Sequence, residues 1–78
     1  MKVTEYFRVA SLRPDRALIR SEWINQVCNN PEHQRLQSDG RIRRWARIAQ
    51  ADGRWLRVVL LLGGQTIHNA FFDRRFKP

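Results

Sequence analysis

The second half of the sequence consists of apolar and β-branched segments that glycine-containing turns separate. Short segments of this composition, bounded by Gly, Asp and Ser, are typical of β-strands. The strongest is Arg54–Leu62, because the two glycines that follow it, Gly63 and Gly64, favour a two-residue hairpin turn. The predicted strands are His33–Gln37, Arg41–Ala49, Arg54–Leu62 and Gln65–Phe72, with turns at Ser38-Asp39-Gly40, Ala51-Asp52-Gly53 and Gly63-Gly64.

The first half is predicted to add one strand and one main helix. Val3–Val9 is rich in β-branched and aromatic residues and predicts a strand, whereas Ser11–Arg20 predicts a turn or a short irregular helix. Ser21 is the expected N-cap of a helix that runs to about Asn29, before Pro31. Its apolar stripe consists of Trp23, Ile24, Val27 and Cys28.

These elements predict an α+β fold in the order β-α-β-β-β-β. We expect a curled antiparallel sheet of four or five strands with the main helix packed on one face. The chain has 78 residues, which is enough for a single domain, residues 1–78, whose core a homodimer contact could supplement.

The charge of the chain points to a polyanionic partner. Fifteen basic residues stand against seven acidic ones, for a formal net charge of +8, and every basic residue except Lys2 and Lys77 is arginine. Arginine suits bidentate phosphate contacts, although a GC-rich genome also favours it over lysine. We expect nucleic acid, in the first place RNA, as the partner, then an acidic protein, with no role for a membrane.

The remaining composition restricts the chemistry. The single cysteine, Cys28, excludes an intrachain disulfide and a zinc site built from thiolates alone, and it reads as a core residue. No metal or other cofactor is expected. The longest apolar run, Val58–Leu62, is too short to span a bilayer, and the N-terminal sequence lacks the apolar stretch of a signal peptide, so we expect a cytoplasmic protein.

The strand registers predict which side chains share a face of the sheet. A two-residue turn at Gly63-Gly64 pairs Leu60 with Ile67 and Val58 with Asn69. The first face then carries Leu56, Val58, Leu60, Leu62, Ile67, Asn69 and Phe71, and the second carries Trp55, Arg57, Val59, Leu61, Thr66, His68, Ala70 and Phe72. A two-residue turn at Asp52-Gly53 adds Arg44 to the second face, whereas a three- or five-residue loop would put Arg43 and Arg47 there instead.

This second face carries the residue types that metal-free cleavage of RNA requires. His68 could act as general acid or base, while Arg57 and Arg44 (or Arg43) would stabilise charge on the phosphate. The expected nucleic-acid contacts are Arg41, Arg43, Trp45, Arg47, Trp55, Arg74 and Arg75, with Trp45 or Trp55 stacking an unpaired base. The alternative is that a neighbour satisfies His68 and that the arginines coat a solvated face. Asp73 is either an acid/base partner or an ion pair that holds the basic end of the chain.

Several motifs between Ser21 and Phe76 carry a resemblance to a known group of proteins. They are Asn30-Pro31-Glu32 at the helix end, the Arg41–Trp45 strand, the RWLRVV strand and the IHNAFFD segment. With these motifs the chain resembles small bacterial proteins akin to the RelE/BrnT-like toxin superfamily. The resemblance implies a compact sheet with helices on one face, ribonuclease activity against messenger RNA and neutralisation by an acidic antitoxin. It also implies that Arg57 and His68 are functional. The catalytic tyrosine of RelE has no counterpart at the C-terminal end, since the only tyrosine is Tyr6.

The sequence therefore predicts a toxin-type, metal-independent endoribonuclease. Two alternatives stay open, namely a non-catalytic RNA- or DNA-binding module and a basic domain that docks an acidic protein.

Overall fold

A computed structural model describes residues 2–78 and shows an α+β fold, as predicted, with a five-stranded sheet that is not closed. The strands are β1 (Lys2–Val3), β2 (His33–Leu36), β3 (Ile42–Ile48), β4 (Arg54–Leu60) and β5 (Thr66–Phe72). The helices are α1 (Glu5–Ala10), α2 (Pro14–Ala17) and α3 (Ser21–Asn29), and a 3₁₀ turn covers Ala49–Ala51. The expected main helix is therefore present as α3, and two further short helices, α1 and α2, precede it.

The sheet is mixed, not antiparallel throughout. Its strand order is β1-β5-β4-β3-β2, and β2 to β5 form the predicted antiparallel meander. β1 instead pairs in parallel with the start of β5, with Lys2 opposite Thr66 and Val3 opposite Ile67. β1 therefore lies next to the last strand of the chain, β5, and not next to β2, the strand that follows it in the sequence.

The predicted strand Val3–Val9 is wrong, because a helix cap interrupts it. Thr4 has extended backbone angles, and its hydroxyl accepts a hydrogen bond from the Phe7 N–H at 3.0 Å, which starts α1 directly after β1. Glu5 in the first turn and Arg8 in the last turn complement the helix dipole. Capping therefore outweighs the β propensity of these residues.

Among residues 2–78, no helix has the length and apolar character needed to cross a membrane.

The core lies between α3 and the sheet. α3 has the predicted bounds, although Arg20 and not Ser21 is its N-cap. Ile24 and Val27 are buried against the sheet, whose contribution to this core is Ala46, Ile48, Leu56, Val58, Leu60, Ile67 and Ala70. Cys28 packs against the same core, as predicted, and burial raises the pKa of its thiol.

The loop between β3 and β4 decides the face on which Arg44 lies. It spans Ala49–Gly53, with Asp52 and Gly53 both at positive φ (60° and 71°). This five-residue loop places Arg44 opposite Val58, on the core side, and Trp45 opposite Arg57. The prediction of a two-residue turn at Asp52-Gly53 was therefore wrong. The structure has the alternative arrangement, in which Arg43 and Arg47 lie on the side of the sheet that faces away from the core.

A β-bulge changes the register between β4 and β5. Leu60 pairs with Ile67 as predicted, but the next pair is Val59 with Asn69, so His68 is the extra residue. Beyond the bulge the predicted faces are exchanged, since Ala70 and Phe72 lie on the core side with Val58 and Leu56, whereas Asn69 and Phe71 lie on the outer side. The connecting turn is also longer than two residues, because Leu61 N bonds to Thr66 O and leaves Leu62 82 % exposed.

Candidate nucleic-acid interface

The side of the sheet that faces away from α3 is here called the open face. Directly paired residues of antiparallel strands share a face, so the registers place Trp45 and Arg57 together, Arg43 with Val59, and Arg47 with Trp55. Asn69 and Phe71 extend this face onto β5, and His33 and Arg35 extend it onto β2.

An aromatic cluster, formed by His33, Trp45, Trp55 and Phe76, covers one part of the open face. The Phe76 ring stacks on Trp45 with centroids 4.5 Å apart and an angle of 15° between the planes. Trp55 and His33 contact the same ring edge-on, at 4.9 Å and 5.3 Å. Phe76 thereby leaves Trp45 only 2 % exposed. The sequence had suggested that Trp45 stacks an unpaired base. In this arrangement Trp45 cannot do so, because Phe76 occupies the face of its ring.

Asp73 ties the end of the chain to the open face. Its backbone N–H donates to Trp55 O at 2.8 Å, and its Oδ2 accepts a hydrogen bond from Trp45 Nε1 at 3.0 Å. The same oxygen lies 3.6 Å from Arg57 Nε. This geometry matches the ion-pair interpretation of Asp73, because the carboxylate is engaged by two side chains of the sheet.

Arg57 lies at the centre of the open face and is partly desolvated. Its guanidinium packs over the Phe71 ring at 4.4 Å, and its Nε is buried without a hydrogen bond among residues 2–78. Burial is the main influence on its pKa and lowers it, Asp73 opposes that shift, and the nearby charge of Arg43 adds to it. A partly desolvated cation interacts more strongly with an incoming anion than one in bulk water, since less water has to be displaced.

Arg57 and His68 line the same open depression of about 320 Å³. Arg41, Arg43 and Tyr6 line it as well. The structure therefore brings together an imidazole, three guanidinium groups and a phenol. The bulge contributes to this arrangement, because it inserts His68 next to Asn69 at the edge of the open face.

The imidazole of His68 has two defined neighbours. Its Nδ1 lies 3.1 Å from Thr4 Oγ1, the hydroxyl that also caps α1. Its ring stacks on Tyr6 with centroids 4.9 Å apart. Because Nδ1 faces Thr4, Nε2 is the nitrogen left for a substrate.

Thr4 and Tyr6 were missed as site residues. Both lie more than sixty positions before His68, and only the parallel pairing of β1 with β5 brings them to it. No local pattern in the sequence signals that pairing.

Arg44 does not belong to this site. Its Nη1 donates to Cys28 O at 2.9 Å and its Nε to Gln34 Oε1 at 2.7 Å. It thus fastens the end of α3 to the core side of the sheet, where its charge also suits the C-terminal end of a helix dipole. The expectation that Arg44 joins Arg57 and His68 is wrong.

The other predicted contact residues surround the open face. The Arg47 guanidinium lies over the Trp55 ring at 5.0 Å, and Arg41 forms an exposed ion pair with Asp39 at 3.6 Å. Arg75 lines a second depression with Trp45 and Phe76, whereas Arg74 lines a third one with Trp55 and Phe72. Within residues 2–78, no three His, Cys, Asp or Glu side chains are grouped as a metal site would need.

Comparisons with known proteins yield no match of any of three kinds. No protein-family model, no curated protein and no solved structure matches the chain. The resemblance to RelE/BrnT-like toxins therefore stays a prediction from the sequence motifs.

Proposed function

We propose that this chain acts on single-stranded RNA through its open face and cleaves it without a metal ion, as a toxin-type endoribonuclease would. The observation that carries the proposal is that His68, Arg57 and Arg43 line one solvent-open depression. The net charge of +8 and the resemblance to RelE/BrnT-like toxins support the same substrate. An acidic antitoxin and a cytoplasmic location belong to this proposal.

The proposed reaction uses the ribose 2′-hydroxyl as the nucleophile. The 2′-oxygen forms a bond to phosphorus while the bond from phosphorus to the 5′-oxygen breaks, which leaves a 2′,3′-cyclic phosphate and a 5′-hydroxyl. One proton leaves the 2′-oxygen and one is added to the 5′-oxygen. His68 Nε2 serves one of these transfers and water serves the other. Arg57 and Arg43 carry permanent positive charge and stabilise the phosphorane.

Thr4 and Tyr6 position the imidazole for this role. The Thr4 hydroxyl holds Nδ1, and the stacked Tyr6 ring restricts rotation of the imidazole plane. Supporting contacts of this kind keep a catalytic group in its productive geometry. The Tyr6 side chain is half exposed and can also stack a base of bound RNA.

The test is cleavage of end-labelled single-stranded RNA by the purified protein in excess EDTA. We expect His68→Ala to slow cleavage by about 10²–10⁴-fold and Arg57→Ala by about 10²–10³-fold, the ranges for a general acid–base group and for an oxyanion-stabilising group. A matched oligonucleotide with 2′-deoxyribose at the cleaved positions should bind but stay intact. Cleavage that His68→Ala leaves unchanged, or that EDTA abolishes, would refute the mechanism.

One observation favours a non-catalytic RNA-binding module instead. His68 has a hydrogen-bonding neighbour and a stacking partner within the protein, which is also how a purely structural histidine is held. This alternative predicts that wild type and His68→Ala bind RNA equally and that neither cleaves it. For the three arginines of the depression, the slope of log affinity against log salt would be about −2 for a single strand.

A further inference from the structure

The aromatic cluster has the geometry of a base-binding slot that the chain itself fills. The slot is the space between Trp45, Trp55 and His33. Phe76 lies in it parallel to Trp45, at 4.5 Å and 15°, and meets Trp55 and His33 edge-on at 67° and 61°. One stacking face with two edge walls is the arrangement by which aromatic side chains hold an unpaired nucleobase.

Phe76 belongs to a segment with few other ties to the sheet. Residues 74–78 are here called the tail. Within residues 2–78, the only hydrogen bond of the tail backbone is from Arg75 N to Asp73 Oδ1, at 3.1 Å. The last backbone bond to the sheet is that of Asp73 to Trp55. Phe76 is therefore the main anchor of the tail, and a ring of similar shape can replace it without breaking the sheet.

The rim of the slot is cationic, which favours a nucleotide over an apolar peptide. Arg35 and Arg57 lie 5.8 Å and 6.0 Å from the Trp45 ring, and Arg47 lies 5.0 Å from the Trp55 ring. Arg75 and Lys77 line the depression beside the slot, together with Trp45 and Phe76. A phosphate attached to a base in the slot would thus meet several guanidinium groups.

We propose that this slot is a nucleobase-binding site for single-stranded RNA and that Phe76 is its displaceable occupant. The proposal rests on the proposed function of the open face as an RNA surface. Arg43 and Arg57 line both the depression beside the slot and the depression that holds His68. A base in the slot therefore positions the adjoining phosphodiester next to the imidazole.

The experiment follows Phe76 directly in the full chain. Labelling with 4-fluorophenylalanine gives four ¹⁹F resonances, for Phe7, Phe71, Phe72 and Phe76, and the one missing in Phe76→Leu identifies Phe76. Three probes are added, namely a short oligoadenylate, an abasic oligonucleotide of equal length and charge, and polyglutamate. We expect only oligoadenylate to move the Phe76 resonance to the position of a solvent-exposed ring.

Affinities supply the second readout. Phe76→Ala should bind oligoadenylate more tightly than wild type, by about tenfold for an occupant that leaves the slot open in about a tenth of the molecules, while binding of the abasic oligonucleotide stays unchanged. If Phe76→Ala fails to fold, the ¹⁹F readout of the labelled wild-type sequence still decides.

The possible failures are distinguishable. Oligoadenylate that binds without moving the Phe76 resonance would overturn the slot and leave the proposed function standing. Displacement of Phe76 by the abasic oligonucleotide or by polyglutamate would also overturn it, because backbone charge or an acidic chain would then suffice. A protein that binds neither oligonucleotide would refute the proposed function, and the slot with it.

Discussion

Replacing Asp73 with alanine should destabilise the fold far more than the loss of an ordinary surface carboxylate. Asp73 is 13 % exposed at its side chain and accepts the Trp45 Nε1–H bond, while the neighbouring Arg57 side chain is 22 % exposed. Asp73→Ala leaves the indole N–H without an acceptor and removes the charge that faces Arg57. It also releases the segment that carries Phe76.

The magnitude follows from these two contacts. A hydrogen bond to a charged acceptor contributes about 1.5–3 kcal/mol. The ion pair is only partly shielded from solvent, and at 3.6 Å it adds no more than about 1 kcal/mol. The sum is about 1.5–4 kcal/mol, and a mid-range loss of about 3 kcal/mol corresponds to a fall in Tm of roughly 12–24 °C for a domain of this size.

Thermal and urea denaturation followed by circular dichroism would measure this loss. Asp15→Ala is the matched control, because it removes the same charge from a side chain that is 75 % exposed and 3.8 Å from Arg16 Nε. It should cost less than about 1 kcal/mol. Asp73→Asn keeps an acceptor for Trp45 and should fall between the two. Equal stabilities of Asp73→Ala and Asp15→Ala would refute the role assigned to Asp73.

Three further changes probe the core, the histidine support and the cysteine. Leu56→Ala, at a fully buried position, should lower the free energy of unfolding by about 2–5 kcal/mol in urea titrations, whereas Leu62→Ala on the exposed turn should change it by less than about 0.5 kcal/mol. Thr4→Val removes the hydroxyl that contacts His68 and caps α1, so it should slow RNA cleavage and lower the free energy of unfolding by about 1 kcal/mol. Thr4→Ser should restore both the cleavage rate and the stability, whereas a Thr4→Val protein with wild-type cleavage would argue against positioning of His68 by Thr4. Because burial raises the pKa of Cys28, less thiolate is present at pH 8, and its reaction with a disulfide reagent should be slower in the folded than in the urea-unfolded protein.

The elements that could be predicted are those whose signals are local. α3 follows from its apolar stripe and from Pro31, and the four meander strands follow from alternating segments bounded by glycine turns. The prediction of a strand over Val3–Val9 was wrong for a physical reason. Its β-branched and aromatic residues suit a strand, yet one hydroxyl, that of Thr4, satisfies the first turn of a helix.

The candidate site depends on features that no local pattern supplies. Whether Arg43 or Arg44 faces outward depends on the length of the Ala49–Gly53 loop, and the sequence left both open. The position of His68 depends on a bulge, and its contacts depend on a parallel strand pair. The burial of Trp45 depends on Phe76, thirty-one positions along the chain, folding back over the sheet.

Arg43 and Arg44 are neighbours in sequence but lie on opposite sides of the sheet, which makes them the most direct test of the open face as an RNA surface. The measurement is the affinity of Arg43→Ala and Arg44→Ala for single-stranded RNA as a function of salt. We expect Arg43→Ala to weaken binding and to reduce the salt slope by about 0.7, the loss of one phosphate contact, while Arg44→Ala keeps the wild-type slope. Equal losses in both variants, or a loss confined to Arg44→Ala, would contradict the account.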